Sequence, residues 1–212
     1  VSVLADLGAL RVVPVVEIED ADAAVPLARA LVAGGLPVME VTYRTSAARA
    51  AIERVAAEVP ELLVGAGTLL TPANVADAAE AGARFGVSPG CGGGVLAAAR
   101  EAGLPFVPGA VTPAEIMDCL AAGYDVVKFF PAAAYGGLGT LRSLAGPFAA
   151  AGVRFVPTGG VSPDNLAEYL ALPAVLAVGG TWVAPRADIS AGKWDEIAAR
   201  ARTAVKLVEA AS

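Results

Sequence analysis

The chain alternates between two hydrophobic rhythms. Short runs rich in Val, Ile and Phe are each followed by a longer alanine-rich stretch in which apolar residues recur every three to four positions. Eight such runs occur: "VVPVVEI" (12–18), "VMEVTYR" (38–44), "LLVGAGT" (62–68), "FGVSPG" (85–90), "FVPGA" (106–110), "VVKFFP" (126–131), "RFVPTGG" (154–160) and "VLAVGG" (175–180). Their starts lie 20 to 28 residues apart, which suits a strand, about three helical turns and two short loops. The intervening stretches carry helix boundaries. "DADAAVPLARALVAGG" opens on acids and closes on glycine, and "TPANVADAAEAG" and "VTPAEIMDCLAAG" each place Thr before Pro at a helix start. Eight successive βα units predict an α/β fold, a parallel TIM-type (β/α)8 barrel in one domain over residues 1–212, with a final helix from about Ser190 to Ala210 covering the last strand. An open doubly wound sheet is the competing architecture. It would carry a glycine-rich loop after the first strand, whereas "EIEDADAA" stands there and the glycine pairs follow runs seven and eight.

Composition narrows the function. A chain of 212 residues, 56% hydrophobic, buries one substantial core. No stretch reaches the roughly 18 uninterrupted apolar residues of a membrane span. The N-terminus lacks the basic start and long apolar region of a secretory signal, so the chain reads as cytoplasmic. A net charge of −6 without a basic stripe argues against nucleic acid and anionic membranes, while local arginines leave small anionic substrates open. There is no histidine, and the only thiols are Cys91 and Cys119, which excludes soft-metal cages, Ser-His-Asp triads and Cys-His dyads. Proton transfer then falls to a carboxylate, lysine, tyrosine or water, with no metal and no cofactor expected.

Within "DVVKFFPAAAYGG", Lys128 interrupts an apolar run, although the chain has only two other lysines, Lys193 and Lys206, both in the charged C-terminal segment. Strand alternation puts Lys128 and Phe130 on one face and Val127 and Phe129 on the other. In the second run Glu40, Thr42 and Arg44 likewise alternate against Met39, Val41 and Tyr43. In a barrel this brings a lysine, a carboxylate and an arginine together in the interior. One reading is a Lys128–Glu40 ion pair that satisfies the interior and does nothing else. The other is chemical. Burial and a nearby arginine favour the neutral amine, which attacks a ketone to form a Schiff base, and the iminium then serves as an electron sink. Glu40 would move the proton, and Arg44 would offer a planar fork to a substrate carboxylate, helped by the Thr68 hydroxyl. Thr68 reads equally as a helix cap before "LLTPANV". "VPTGGVSPDN" and "AVGGTWVAP" make Thr158, Gly159, Gly160, Gly179, Gly180 and Thr181 candidates for a phosphate site at the ends of strands seven and eight, although a lone glycine pair usually marks a turn.

Together "EVTYRT", "GAGT", "VSPGC", "VPGAVTP", "VKFFPA", "PTGG" and "VGGTW" resemble the 2-keto-3-deoxy-6-phosphogluconate (KDPG) aldolase family nearly end to end. That family also includes 4-hydroxy-2-oxoglutarate (KHG) aldolases. The resemblance implies a class I aldolase, usually a homotrimer, that cleaves KDPG to pyruvate and glyceraldehyde 3-phosphate. It implies Lys128 as the Schiff-base lysine, Glu40 as the acid–base group, and Arg44 with Thr68 at the pyruvyl carboxylate. Phe130 and Pro89 would line the pyruvyl pocket, with Gly159, Gly160 and Thr181 at the phosphate. Three positions depart from the pattern. Ala133 stands where many relatives have a glutamate, Thr181 where many have Ser, and Glu17 where some have an arginine near the phosphate. Glu17 is thus expected as an unpaired carboxylate that repels a phosphate. Two other readings stay open. One is a phosphosugar isomerase or epimerase using Glu17 and Glu40 without a covalent lysine. The other is a non-catalytic ligand-binding barrel.

Overall fold

A computed structural model describes residues 2–211. Its strands are β1 (Val12–Val16), β2 (Val38–Thr42), β3 (Leu63–Gly67), β4 (Phe85–Val87), β5 (Phe106–Val107), β6 (Val126–Phe129), β7 (Arg154–Pro157) and β8 (Val178–Gly180). Its helices are α1 (Val3–Leu10), α2 (Ala24–Ala33), α3 (Ala48–Glu58), α4 (Pro72–Glu80), α5 (Val95–Glu101), α6 (Pro113–Ala121), α7 (Gly137–Phe148), α8 (Leu166–Leu170), α9 (Arg186–Ser190) and α10 (Trp194–Ala210). Six strands pair in the order β5-β4-β3-β2-β1-β8, and β6 pairs with β7, all in parallel. Two seams close the ring. The Lys128 amide donates to the Pro108 carbonyl (2.7 Å) and the Ala110 amide to the Lys128 carbonyl (2.9 Å), joining β5 to β6. Bridges from Phe155 to Val175 and from Thr158 to Gly179 join β7 to β8. The molecule is the expected barrel, and the open sheet is excluded.

Several strands are shorter than their hydrophobic runs. β5 stops at Val107 because Pro108 has no N–H to continue the ladder. The two Thr-Pro signals hold: Thr71 caps α4 by accepting from the Asn74 amide (3.1 Å), and Thr112 and Glu115 form a reciprocal capping box on α6. The expected final helix is α10, which starts a turn later than expected, at Trp194, because Gly192, at φ +67°, turns the chain after the short α9 that ends at Ser190. Sequence reading did not anticipate α1. It is capped by Ser2 and ends at Arg11, whose guanidinium donates to the carbonyls of Leu170 (2.7 Å), Val175 (2.8 Å) and Leu176 (3.2 Å) beside the entry to β1.

The interior is filled by large residues standing over small ones. Val15, Glu40, Gly65 and Phe85 lie at one level of register across β1 to β4, and a Cβ on Gly65 would overlap the Phe85 ring. The outward-facing positions Met39, Val41, Val127 and Phe129 are fully buried against the helices. Tyr43 continues that outward face beyond β2 and donates to Asp77 of α4 (2.9 Å). None of the helices described is long and apolar enough to cross a membrane.

Candidate functional site

At the C-terminal ends of the strands, Lys128 of β6 and Glu40 of β2 reach toward each other from opposite sides of the ring. Lys128 Nζ lies 3.2 Å from Glu40 Oε1, and both residues are buried, at 5% and 3% exposure. The ammonium also sits 5.2 Å from the centre of the Phe130 ring, within cation–π range. Glu40 fits because Gly67, two residues up β3, has no side chain: a Cβ there would overlap the carboxylate. Sequence reading quoted "GAGT" for its threonine and missed this role. The available signal was a glycine on the strand next to an inward carboxylate.

Thr68 follows Gly67 at φ 59°, a left-handed backbone that a β-branched residue adopts only under strain. Its hydroxyl has no hydrogen-bond partner among the described residues, and Thr71 does the capping of α4. The helix-cap reading of Thr68 is therefore wrong. Pro89 lies at the exposed end of the β4 loop, and its carbonyl packs where a Cβ on Gly109 would stand. Gly109 in turn bridges to Lys128, so a side chain-free position ties this loop to the lysine strand.

Arg44 departs from expectation. β2 ends at Thr42, so the strand alternation no longer carries Arg44 inward. It lies on the rim, its side chain 45% exposed, with Glu17 Oε2 at 3.9 Å. Thr42 is the last inward residue of β2, its hydroxyl donating to the Val16 carbonyl (3.0 Å). Glu17 corrects a second expectation, because it is paired. Arg186 Nη1 lies 2.6 Å from Glu17 Oε1, and the other edge of the same guanidinium binds Glu19. Glu17, Thr42, Arg44, Thr181 and Arg186 all line one cavity of about 230 Å³ between the ends of β1, β2 and β8. Arg186 carried no signal in the sequence beyond its place after "GGTW".

The glycine pairs also come together. Thr158 is buried at the end of β7, opposite Gly179 of β8, where a Cβ would overlap its hydroxyl. Gly159 and Gly160 take φ values of 88° and 85°, and Asn165 braces the turn by donating to the Gly160 carbonyl (3.0 Å) and accepting from the Ser162 amide (2.9 Å). Ala133 Cβ packs where a Gly160 Cβ would stand, so the missing side chain at Gly160 lets the two loops close. Thr181 is exposed at the end of β8, next to Gly180.

Cys119 is pushed up to about 12, by burial first and then by Cys91 beside it, which keeps the thiol protonated and out of nucleophilic chemistry. Among the described residues no group of three or more His, Cys, Asp or Glu side chains is placed to hold a metal ion.

The chain is similar to known proteins. The family model described as aldolase, "KDPG and KHG aldolase", matches residues 3–200. The KHG/KDPG aldolase of Escherichia coli K12 is 49% identical over 195 residues, covering 92% of this chain and 91% of that protein. The 2-dehydro-3-deoxy-phosphogluconate aldolase of Treponema pallidum is 45% identical over 208 residues, covering 98% of each. Among solved structures, the KDPG aldolase of Legionella pneumophila, with pyruvate captured at low pH as a covalent carbinolamine, superposes with a TM-score of 0.88 at 42% identity, covering 92% of this chain and 96% of that one. This chain belongs to the KDPG and KHG aldolase family.

Proposed function

We propose that the chain cleaves KDPG to pyruvate and glyceraldehyde 3-phosphate, and KHG to pyruvate and glyoxylate, through a Schiff base on Lys128. The observation that carries this reading is the amine of Lys128, buried at the mouth of the barrel beside a single carboxylate. The neutral amine attacks the C2 ketone and expels water, leaving an iminium. Glu40, directly or through one water, takes the proton of the C4 hydroxyl. The C3–C4 bond then breaks, its electrons flow to the iminium as an enamine, and the aldehyde leaves. Protonation at C3 and hydrolysis release pyruvate and restore the lysine.

The remaining residues bind and orient. Arg44 and the free hydroxyl of Thr68 take the pyruvyl carboxylate, and Phe130 and Pro89 line the pyruvyl pocket. Thr158, Gly159, Gly160, Gly179, Gly180 and Thr181 take the phosphate through hydroxyls and backbone amides. A structural ion pair alone does not account for the strained Thr68 and its free hydroxyl. We infer a homotrimer on the family resemblance, with Leu70, Met117 and Tyr135 as exposed apolar side chains that assembly could cover. Light scattering should then give three times the chain mass.

The test of the reaction is borohydride reduction in the presence of pyruvate. A reduced pyruvyl adduct is expected on the peptide containing Lys128. Labelling at Lys193 or Lys206, or no label, defeats the assignment.

A further inference from the structure

We propose that Arg186, on the segment after β8, selects substrates carrying a distal phosphate, and that Glu17 and Glu19 hold its guanidinium while the site is empty. The proposal rests on the aldolase reading above and concerns a residue that reading does not use.

Two cations line the cavity at the ends of β1, β2 and β8. They are not equivalent. Arg44, four residues beyond Glu40, is committed to the pyruvyl carboxylate in the reaction scheme. That leaves Arg186 as the uncommitted cation in the cavity that Thr181 also lines. It is needed there, because without it Glu17 would present its charge to an arriving phosphate.

The two edges of the Arg186 guanidinium have different partners. One edge lies 2.6 Å from Glu17, whose side chain is 23% exposed, and the other is on Glu19, which is 51% exposed. Exposed ion pairs hold weakly and exchange readily, whereas a phosphate offers the planar fork a doubly charged, bidentate partner. The more exposed Glu19 gives up its edge to the phosphate, and the Glu17 edge stays paired. The acid just beyond β1 is thereby neutralised throughout, and it aims the arginine at the site.

The experiment measures condensation of pyruvate with D-glyceraldehyde 3-phosphate and with unphosphorylated D-glyceraldehyde. It uses the wild type, Arg186→Gln, and the double variant Glu17→Gln/Arg186→Gln. Loss of a charge-assisted contact should lower kcat/KM for the phosphorylated acceptor about 10- to 100-fold in Arg186→Gln, with less than about a threefold change for the neutral one. The double variant should stay as poor as Arg186→Gln on the phosphorylated acceptor. Recovery to wild-type values in the double variant would mean that Arg186 only masks Glu17, and would overturn the proposal. So would an equal fall on both acceptors, or no fall on either. A wild type that condenses pyruvate with neither acceptor and forms no adduct at Lys128 defeats the aldolase reading itself. A wild type that does both, with variants that do not discriminate, confines the failure to Arg186.

Discussion

Lys128 and Glu40 meet 3.2 Å apart with side chains 6% and 5% exposed, whereas Arg186 and Glu17 meet 2.6 Å apart with side chains 55% and 23% exposed. The shorter contact is the weaker constraint. At the rim, water screens both charges and competes for the same hydrogen bonds, so the pair can trade partners at little cost. In the interior, both groups have lost their hydration and each depends on the other, the ammonium also on the Phe130 ring. The barrel therefore carries a fixed pair in its interior and, beyond the ends of β1 and β8, an exchangeable set at its rim.

Removing the buried amine gives the largest expected effect. Lys128→Met should abolish turnover and pyruvyl trapping, and should lower stability by about 3–5 kcal/mol by stranding Glu40. Lys128→Met/Glu40→Leu should regain most of that stability while remaining inactive, as followed by urea unfolding. A double variant as unstable as the single one would break the account of the buried pair. Next in size, Glu40→Gln keeps the shape and removes the base, so kcat should fall by about 10²–10⁴ with little change in KM. Near-normal kcat would reduce Glu40 to a structural partner of the lysine.

The rim should respond differently. Arg44→Ala should raise KM for both KDPG and KHG by about tenfold or more, because both present the same carboxylate, while saturating pyruvate still labels Lys128. The smallest effect is on stability: Arg186→Gln should shift Tm by no more than about 2 °C near neutrality. Hydrogen bonding and charge from Arg186 hold the Glu19 carboxyl below its usual range. Its contribution is therefore present above the unfolded carboxylate value and disappears as pH falls through the lower folded one. The Tm difference between wild type and Arg186→Gln should shrink progressively on acidification below the usual carboxylate range, and on adding salt. A difference that persists in acid would mean that packing, and not charge, holds Arg186.

Much of this was legible in the chain, because it depends on short-range periodicity. The βα rhythm predicted the barrel, period-2 alternation predicted that Lys128 and Glu40 face inward, and Thr-Pro pairs marked the starts of α4 and α6. The same alternation failed for Arg44, since it applies only while the backbone stays extended and β2 ends at Thr42. Nor could local pattern test the capping reading of Thr68. Its exclusion follows from a left-handed φ and from Thr71 already occupying the cap.

What the sequence by itself determined was which face of each strand every side chain takes, since that depends only on neighbours in the chain. Which side chains then meet was decided by closure of the ring. Lys128 finds Glu40 across 88 residues, and Arg186 finds Glu17 across 169. Gly67 matters only because a carboxylate from the neighbouring strand fills its empty side. Such encounters depend on strand register and curvature summed around eight units, and no stretch of sequence contains that sum.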